Sequence, residues 1–352
     1  MKKILTEISG LKTYFFIDPL DSGISDYKYI PEPELEKFYS SRKWLKGKVP
    51  AKAVDGVSLN IYEDEVLGIV GESGAGKSVT AHSITRLIPE PPGIITAGKI
   101  LFKGTDLLTM SLEELHKYRG REIGMVFQEP MTSLNPVLTI EEQLRETIMH
   151  GMNISRKEVF ERGVEMLRMT GIPDAESRIK NYPHQFSGGM RQRIMIAMAV
   201  SCNPSLLIAD EPTTALDVTV QAQILELMMD LKRSRKDSSM MMITHNLGLV
   251  SETCDRVIVM YCGKIQESGT VNQIFTSPKH PYTIGLMESL PMAGKTRKKL
   301  KAIPGYVPGP FEMPDGCKFC TRCTKATEKC FVTEPGIVDT GDNHSVRCNL
   351  YE

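Results

Sequence analysis

The sequence lacks most of what would mark a specialised composition. Its 352 residues hold one tryptophan and 7% aromatics, and 43 Lys and Arg face 43 Asp and Glu, so neither charge is in surplus. With a formal net charge of zero and no basic block longer than Arg297-Lys298-Lys299, there is no electrostatic footprint for a polynucleotide, and no nucleic acid is expected as a partner. No window approaches the roughly 18 to 20 unbroken apolar residues that cross a bilayer, and Met1-Lys2-Lys3-Ile4-Leu5-Thr6-Glu7 meets an acid before a signal-peptide core could form. The chain is therefore expected to stay in the cytosol. An internal repeat is also missing, and 41% hydrophobic with 24% charged residues excludes both disorder and a collagen-like fibre. What remains is globular material long enough for roughly two domains.

The eight cysteines are unevenly spread. Cys202, Cys254 and Cys262 stand singly in apolar surroundings, where a small buried hydrophobe is the expected role. Cys317, Cys320, Cys323, Cys330 and Cys348 crowd into the last tenth of the chain, and in a reducing compartment such a cluster points to metal rather than disulfides.

Residues 4–16 and 51–62 read as strands, the second through the alternation of Val54, Val57, Leu59 and Ile61. Between them an insert over about 17–50, rich in Pro, Ser, Tyr and charge, is expected to be a surface excursion with a short helix near Glu34 to Trp44. Val66 to Val70 has strand length and leads through a Gly-rich turn into helical composition from Ser78 to Leu87. Further strands are expected at 123–127, 206–209, 240–243 and 257–260. A helix-rich stretch over about 139–200 carries the periodic apolar residues of an inserted lobe. This alternation predicts an α/β fold with buried parallel strands.

Gly71-Glu72-Ser73-Gly74-Ala75-Gly76-Lys77-Ser78 fits G-x-x-x-x-G-K-[ST] between a strand and a helix. Glycines let backbone N–H groups ring a β-phosphate, the helix N-terminus adds partial positive charge, Lys77 bridges β- and γ-phosphates, and the Ser78 hydroxyl reaches Mg²⁺. The apolar run Leu206-Leu207-Ile208-Ala209 ends in Asp210-Glu211. An acid at the C-terminal end of such a strand lies at the ligand edge of an α/β sheet, so Asp210 is expected to hold Mg²⁺ and Glu211 to act as general base on water. Phe186-Ser187-Gly188-Gly189-Met190-Arg191-Gln192-Arg193 opens a further helix whose N-terminus suits a second anion. Since one phosphate loop is already present, this end is expected to meet nucleotide held by a partner subunit.

In this order, with Ala215-Leu216-Asp217 and Thr244-His245 following, the motifs over residues 4 to 275 resemble the ATP-binding subunits of ATP-binding-cassette (ABC) transporters. The resemblance implies that Gln128, in Val126-Phe127-Gln128-Glu129-Pro130, contacts Mg²⁺ and the attacking water and links the sheet to the helical lobe. It further implies that His245 hydrogen-bonds the γ-phosphate, that Asp217 helps lock two subunits together, and that Phe15, with Tyr14 and Phe16 as alternates, stacks on adenine. The Phe-Ser-Gly-Gly-Met-Arg-Gln-Arg signature, the 128–136 segment and His280-Pro281-Tyr282-Thr283 resemble the dipeptide/oligopeptide (and nickel) permease branch. That branch implies a second, related ATPase as heterodimer partner, two transmembrane permease subunits facing residues 129–136, and an extracytoplasmic solute-binding protein acting indirectly. The chain would then sit peripherally on the cytoplasmic face of the membrane.

Gly316-Cys317-Lys318-Phe319-Cys320-Thr321-Arg322-Cys323 resembles the C-terminal extension of the same branch. Cys317, Cys323, Cys330 and Cys348, with five, six and seventeen residues between them, supply thiolates that suit a [4Fe–4S] cluster or tetrahedral zinc, and the resemblance favours the cluster. Cys320 departs from the pattern and permits a different ligand choice. The expected architecture is an α/β P-loop ABC ATPase cassette over 1–275 with an inserted helical subdomain. A small C-terminal cysteine-rich, metal-binding extension follows over 276–352. The expected activity is ATP hydrolysis driving import of peptides or related solutes, with ATP and Mg²⁺ as cofactors.

Overall fold

Short apolar runs alternating with helical stretches build the mixed α/β fold of this protein, seen in a computed structural model that describes residues 2–19, 33–214, 216–235, 237–289 and 301–352. Residues 20–32 of the insert, Ala215 of the Ala-Leu-Asp motif and the Arg297-Lys298-Lys299 run lie outside the described residues.

The first strands are β1 (Ile4–Ile17), β2 (Val49–Tyr62), β3 (Val66–Val70), β4 (Gly93–Phe102), β5 (Thr105–Asp106) and β6 (Ile123–Val126). They are followed by β7 (Leu206–Asp210), β8 (Ser239–Ile243), β9 (Arg256–Tyr261), β10 (Lys264–Thr270), β11 (Val338–Asp339) and β12 (Ser345–Val346). The helices up to the inserted lobe are α1 (Glu36–Ser41), α2 (Lys77–Ile84), α3 (Leu112–His116), α4 (Pro130–Ser133), α5 (Ile140–Gly151), α6 (Arg156–Met169) and α7 (Ala175–Arg178). Those beyond are α8 (Gly188–Val200), α9 (Val218–Arg233), α10 (Leu247–Thr253), α11 (Val271–Thr276), α12 (Pro281–Glu288) and α13 (Glu328–Val332). The chain forms two compact units, one of Met1–Leu5, Ile61–Gly68 and Thr109–Thr244, the other of Thr6–Asn60, Ile69–Leu108 and His245–Glu352.

In the first unit β6, β7 and β8 pair in parallel, Ile123 opposite Leu206 and Asp210 opposite Ile243. Every residue of β7 and β8 is buried, including Met240 to Met242, as expected where both faces of a parallel strand are covered. The helical lobe closes around its own core. Ile140, Leu144 and Ile148 recur every fourth residue on α5 and pack with Val159, Val164 and Leu167 of α6 and Ile194 of α8. Capping boxes start α5 and α6: the Thr139 and Ser155 hydroxyls accept from the N–H groups of Glu142 and Glu158, whose carboxylates accept from the cap N–H groups in return.

In the second unit β2, β1, β4 and β5 form one sheet, while β9, β10, β12 and β11 pair antiparallel in sequence of contact. The C-terminal segment is thus joined to β10, with Glu267 opposite Val346 and the Arg347 N–H donating to the Gln266 carbonyl at 2.7 Å. Sequence patterning misses β10 because the buried Gln266 and Glu267 interrupt its apolar run. Glu267 is satisfied there by the N–H groups of Lys279 (2.7 Å) and His280 (2.9 Å) and by His344 Nε2 at 2.7 Å.

Over residues 33–50 the insert is not the surface excursion that its prolines and charges suggest. Leu35 and Leu45 are buried with Tyr14, Phe16 and Ile94, and Phe38, Tyr39 and Trp44 pack against them. Tyr39 and Trp44 meet Phe16 edge-on, ring centroids 5.8 and 6.3 Å apart. Aromatics set among polar residues thus anchor the described part of the insert to β1. Cys202 and Cys262 are buried and Cys254 half-buried, in keeping with the core role expected of them.

Candidate functional site

The phosphate loop lies in the second unit, between β3 and α2. Gly71 has φ +154°, and a Cβ there would meet the Met260 carbonyl oxygen at 2.2 Å, so only glycine lets the loop lie against β9. Gly76, at φ +94°, is the N-cap of α2 and would drive a Cβ to 2.4 Å from the Ala53 carbonyl oxygen. Lys77 is buried, its Nζ donating to the carbonyls of Gly71 (2.9 Å) and Glu72 (3.1 Å). A buried ammonium folded back on its own loop beside a helix N-terminus is a preformed site for an anionic oxygen.

The paired acids lie in the first unit at the end of β7. Asp210 is buried within the strand, while Glu211 leaves it with φ +45°, a left-handed conformation costly for a residue with a Cβ. The turn is held by the Glu211 N–H donating to the Ile243 carbonyl at 2.9 Å. One carboxylate oxygen of Glu211 accepts from Gln128 Nε2 at 3.1 Å and from the Thr214 hydroxyl at 3.0 Å. Gln128 and Glu211, far apart in sequence, are therefore in direct contact. A half-exposed carboxylate oriented by two donors is suited to accepting a proton from water.

The Ser-Gly-Gly motif opens α8 in the same unit. Ser187 is its N-cap, its hydroxyl accepting from the Met190 N–H at 3.3 Å, and Ser187 and Gly188 are exposed. Gln192 Nε2 ties this helix to the turn after the acids by donating to the Pro212 carbonyl at 2.6 Å. Asp217 is the exposed N-cap residue of α9, without a side-chain cap hydrogen bond. His245 begins the second unit, exposed, just before the Asn246 cap of α10. Of the aromatics at the end of β1, Tyr14 is buried and donates to Asp55 Oδ1 at 2.7 Å, Phe16 is held by the insert, and Phe15 alone is half-exposed, opposite Gly93.

The five C-terminal cysteines gather in the second unit. Cys317, Cys320, Cys330 and Cys348 are buried and Cys323 half-buried, and all are free thiols. The Cys317 N–H donates to the Cys330 carbonyl at 2.8 Å, and a Cβ on Gly316 would strike that carbonyl oxygen at 2.3 Å. Burial pushes the Cys317 thiol up to about 12, with Cys330, Cys320 and Cys348 adding to the effect. Burial also raises Cys330, but hydrogen bonds from Thr327 and Asn349 outweigh it and leave that thiol below its usual range. Among the described residues no three His, Cys, Asp or Glu side chains stand as the ligand set of one metal ion, which holds for the expected set Cys317, Cys323, Cys330 and Cys348.

Sequence reasoning missed what Arg322 and Tyr282 do. In the sequence each stands only inside a family motif, yet both contact Glu72 of the phosphate loop. An arginine set between Cys320 and Cys323 was the available signal.

Comparison with known proteins places these features together. Residues 54–214 match the family described as ABC transporter, and residues 266–330 match the family described as oligopeptide/dipeptide transporter, C-terminal region. The chain is 48% identical over 348 residues to the oligopeptide transport ATP-binding protein AppD of Bacillus subtilis, covering 99% of this chain and 97% of that one. It is 49% identical over 315 residues to the oligopeptide transport ATP-binding protein OppD of the same organism, covering 89% of this chain and 87% of the relative. Among solved structures, the dimeric post-hydrolysis ATP-binding cassette MJ0796 bound to ADP and Pi is similar with a TM-score of 0.59 and 25% identity, over 76% of this chain and 98% of that one. No helix among the described residues is long and apolar enough to cross a membrane.

Proposed function

This chain belongs to the family of ATP-binding subunits of oligopeptide and dipeptide ABC transporters, and we propose from that premise that it hydrolyses ATP to power peptide import through partner membrane subunits. The observation that carries the reading is a complete set of nucleotide motifs in one chain with the oligopeptide-type C-terminal region, matched along almost its whole length. The reading divides the chain into an ATP-binding cassette, 1–275, with its helical subdomain at about 139–200, and an extension, 276–352.

In this reading Gly71 to Ser78 hold the ATP phosphates, and the buried Lys77 exchanges loop carbonyls for phosphate oxygens. Ser78, Asp210 and Gln128 would hold Mg²⁺, which supplies charge neutralisation on the phosphates when bound. Glu211 accepts a proton from water as its oxygen attacks the γ-phosphorus and the bond to ADP breaks, while His245 hydrogen-bonds the γ-phosphate. Phe15 is the half-exposed aromatic available to stack on adenine. Ser187 and Gly188, exposed at the start of α8, and the half-buried Gly189, with Asp217, face nucleotide held by a second, related ATPase, so that each chain carries half of each site. Residues 129–136 face two permease subunits, which holds the chain to the cytoplasmic face of the membrane, with an extracytoplasmic binding protein delivering solute.

The tail reads as the holder of a [4Fe–4S] cluster, with zinc as the alternative. Burial and neighbouring cysteines raise the Cys317 and Cys348 thiols, a cost of ionisation that a bound metal would offset by withdrawing their protons. Cys317, Cys323, Cys330 and Cys348 would hold it, and the bound group supplies a cross-link between distant points of the tail.

Uptake of a labelled oligopeptide tests the function. Cells lacking this chain should fall to background and recover with the parent chain but not with Lys77→Ala. Undiminished uptake without the chain would overturn the peptide reading.

A further inference from the structure

Arg322 lies in the turn between Cys320 and Cys323, and its side chain is only 5% exposed. A guanidinium withdrawn from water must be paid for by specific partners, and these are unusual in their location. Nη1 and Nη2 donate to the two carboxylate oxygens of Glu72 at 2.6 and 3.1 Å, a two-pronged pairing with the second residue of the phosphate loop. Nη1 also donates to the Tyr261 hydroxyl (3.3 Å) and Nε to the Pro304 carbonyl (3.0 Å), while the guanidinium lies over the Tyr261 and Phe319 rings.

Glu72 is held on every side. Its N–H donates to the Tyr282 hydroxyl at 2.9 Å, its carbonyl accepts from Lys77 Nζ at 3.1 Å, and its carboxylate belongs to Arg322. Tyr282 and Tyr261 pack ring to ring at 4.7 Å, so the 280–283 motif and the cysteine turn converge on one residue. An unpaired carboxylate at this place would repel a polyphosphate, and the guanidinium cancels its charge while fixing the loop.

We propose that Arg322 is a positioning residue for ATP, carried by the cysteine tail and acting through Glu72, so that the conformation of the tail is read out as nucleotide affinity. The inference rests on the phosphate loop being the ATP site. Since Arg322 is flanked by Cys320 and Cys323, any group that rearranges those thiols moves the guanidinium relative to the loop.

The test measures ATP dissociation constants for the full chain carrying Arg322→Ala, Arg322→Lys, Glu72→Gln, the Arg322→Ala/Glu72→Gln pair and Lys77→Ala. Arg322→Ala should weaken ATP about tenfold, within the usual range of coupling between sites, and should raise KM by more than it lowers kcat. The double variant should bind no more weakly than Arg322→Ala, because the two residues act as one unit. Arg322→Lys, which keeps the charge and guards against a folding defect, should lose affinity by a smaller factor of about three, the fork being gone. Unchanged affinity in Arg322→Ala or in Arg322→Lys, or losses that multiply in the double variant, would overturn the proposal. Lys77→Ala separates the two levels: if it retains tight ATP binding the ATP reading of the loop itself fails, whereas its loss beside an unaffected Arg322→Ala removes only the role of Arg322.

Discussion

Glu211 shows how a single residue can be placed by forces that its own side chain does not supply. The left-handed turn at φ +45° lies directly before Pro212, and hydrogen bonds to Ile243, Gln128 and Thr214 hold it. Glu211→Gln keeps the shape and the acceptor oxygen but cannot take a proton. It should bind ATP like the parent and hydrolyse it about a hundredfold more slowly, as measured by phosphate release. Unchanged turnover would remove Glu211 from the base role. The acid pair was legible from an apolar strand ending in two carboxylates, but the Gln128 contact was not, because it joins residues 83 positions apart in sequence.

At the scale of elements, α12 illustrates a helix start that also titrates. His280 caps it, Nδ1 accepting from the Tyr282 N–H at 3.0 Å, and the ring is fully enclosed beside Phe319. Burial drives the imidazole down from 6.5 to about 3, the Arg347 backbone opposing this. The unfolded chain therefore takes up a proton below about pH 6.5 that the folded chain refuses until about pH 3, so stability is full above neutral pH and lost as pH falls through that window. At pH 5 the loss should reach about 2 kcal/mol, and His280→Asn, which can still cap, should remove that share of the pH dependence in urea unfolding. An equal pH slope in both proteins would contradict the buried neutral ring. The capping boxes of α5 and α6 are local, each closed within Thr139-x-x-Glu142 or Ser155-x-x-Glu158. By contrast β10 was hidden, because Glu267 is made tolerable only by His344 and the 279–280 backbone.

For the molecule as a whole, the cysteine tail is the part whose chemistry a purification can decide. Anaerobic preparation should yield about four irons and four sulfides per chain with broad visible absorbance, and replacing Cys323 and Cys348 together should release them. One zinc without colour would make the tail a zinc clip, and retention of metal by the double variant would move the ligands toward Cys320. The nucleotide motifs were legible in the sequence alone, because each is a short run whose spacing encodes its local backbone geometry, as in the strand, Gly-rich turn and helix around residues 71–78. The apolar periodicity of the helical lobe was determined in the same way, Ile140, Leu144 and Ile148 falling on one helix face. Only the tertiary structure decided that Leu35, Leu45 and the insert aromatics belong to a core, and that Tyr14 and Phe16 are consumed by it while Phe15 is left half-exposed. It alone joined Arg322 to Glu72, 250 residues apart, because pairing between distant charges depends on how strands and turns stack and leaves no period or spacing in the chain.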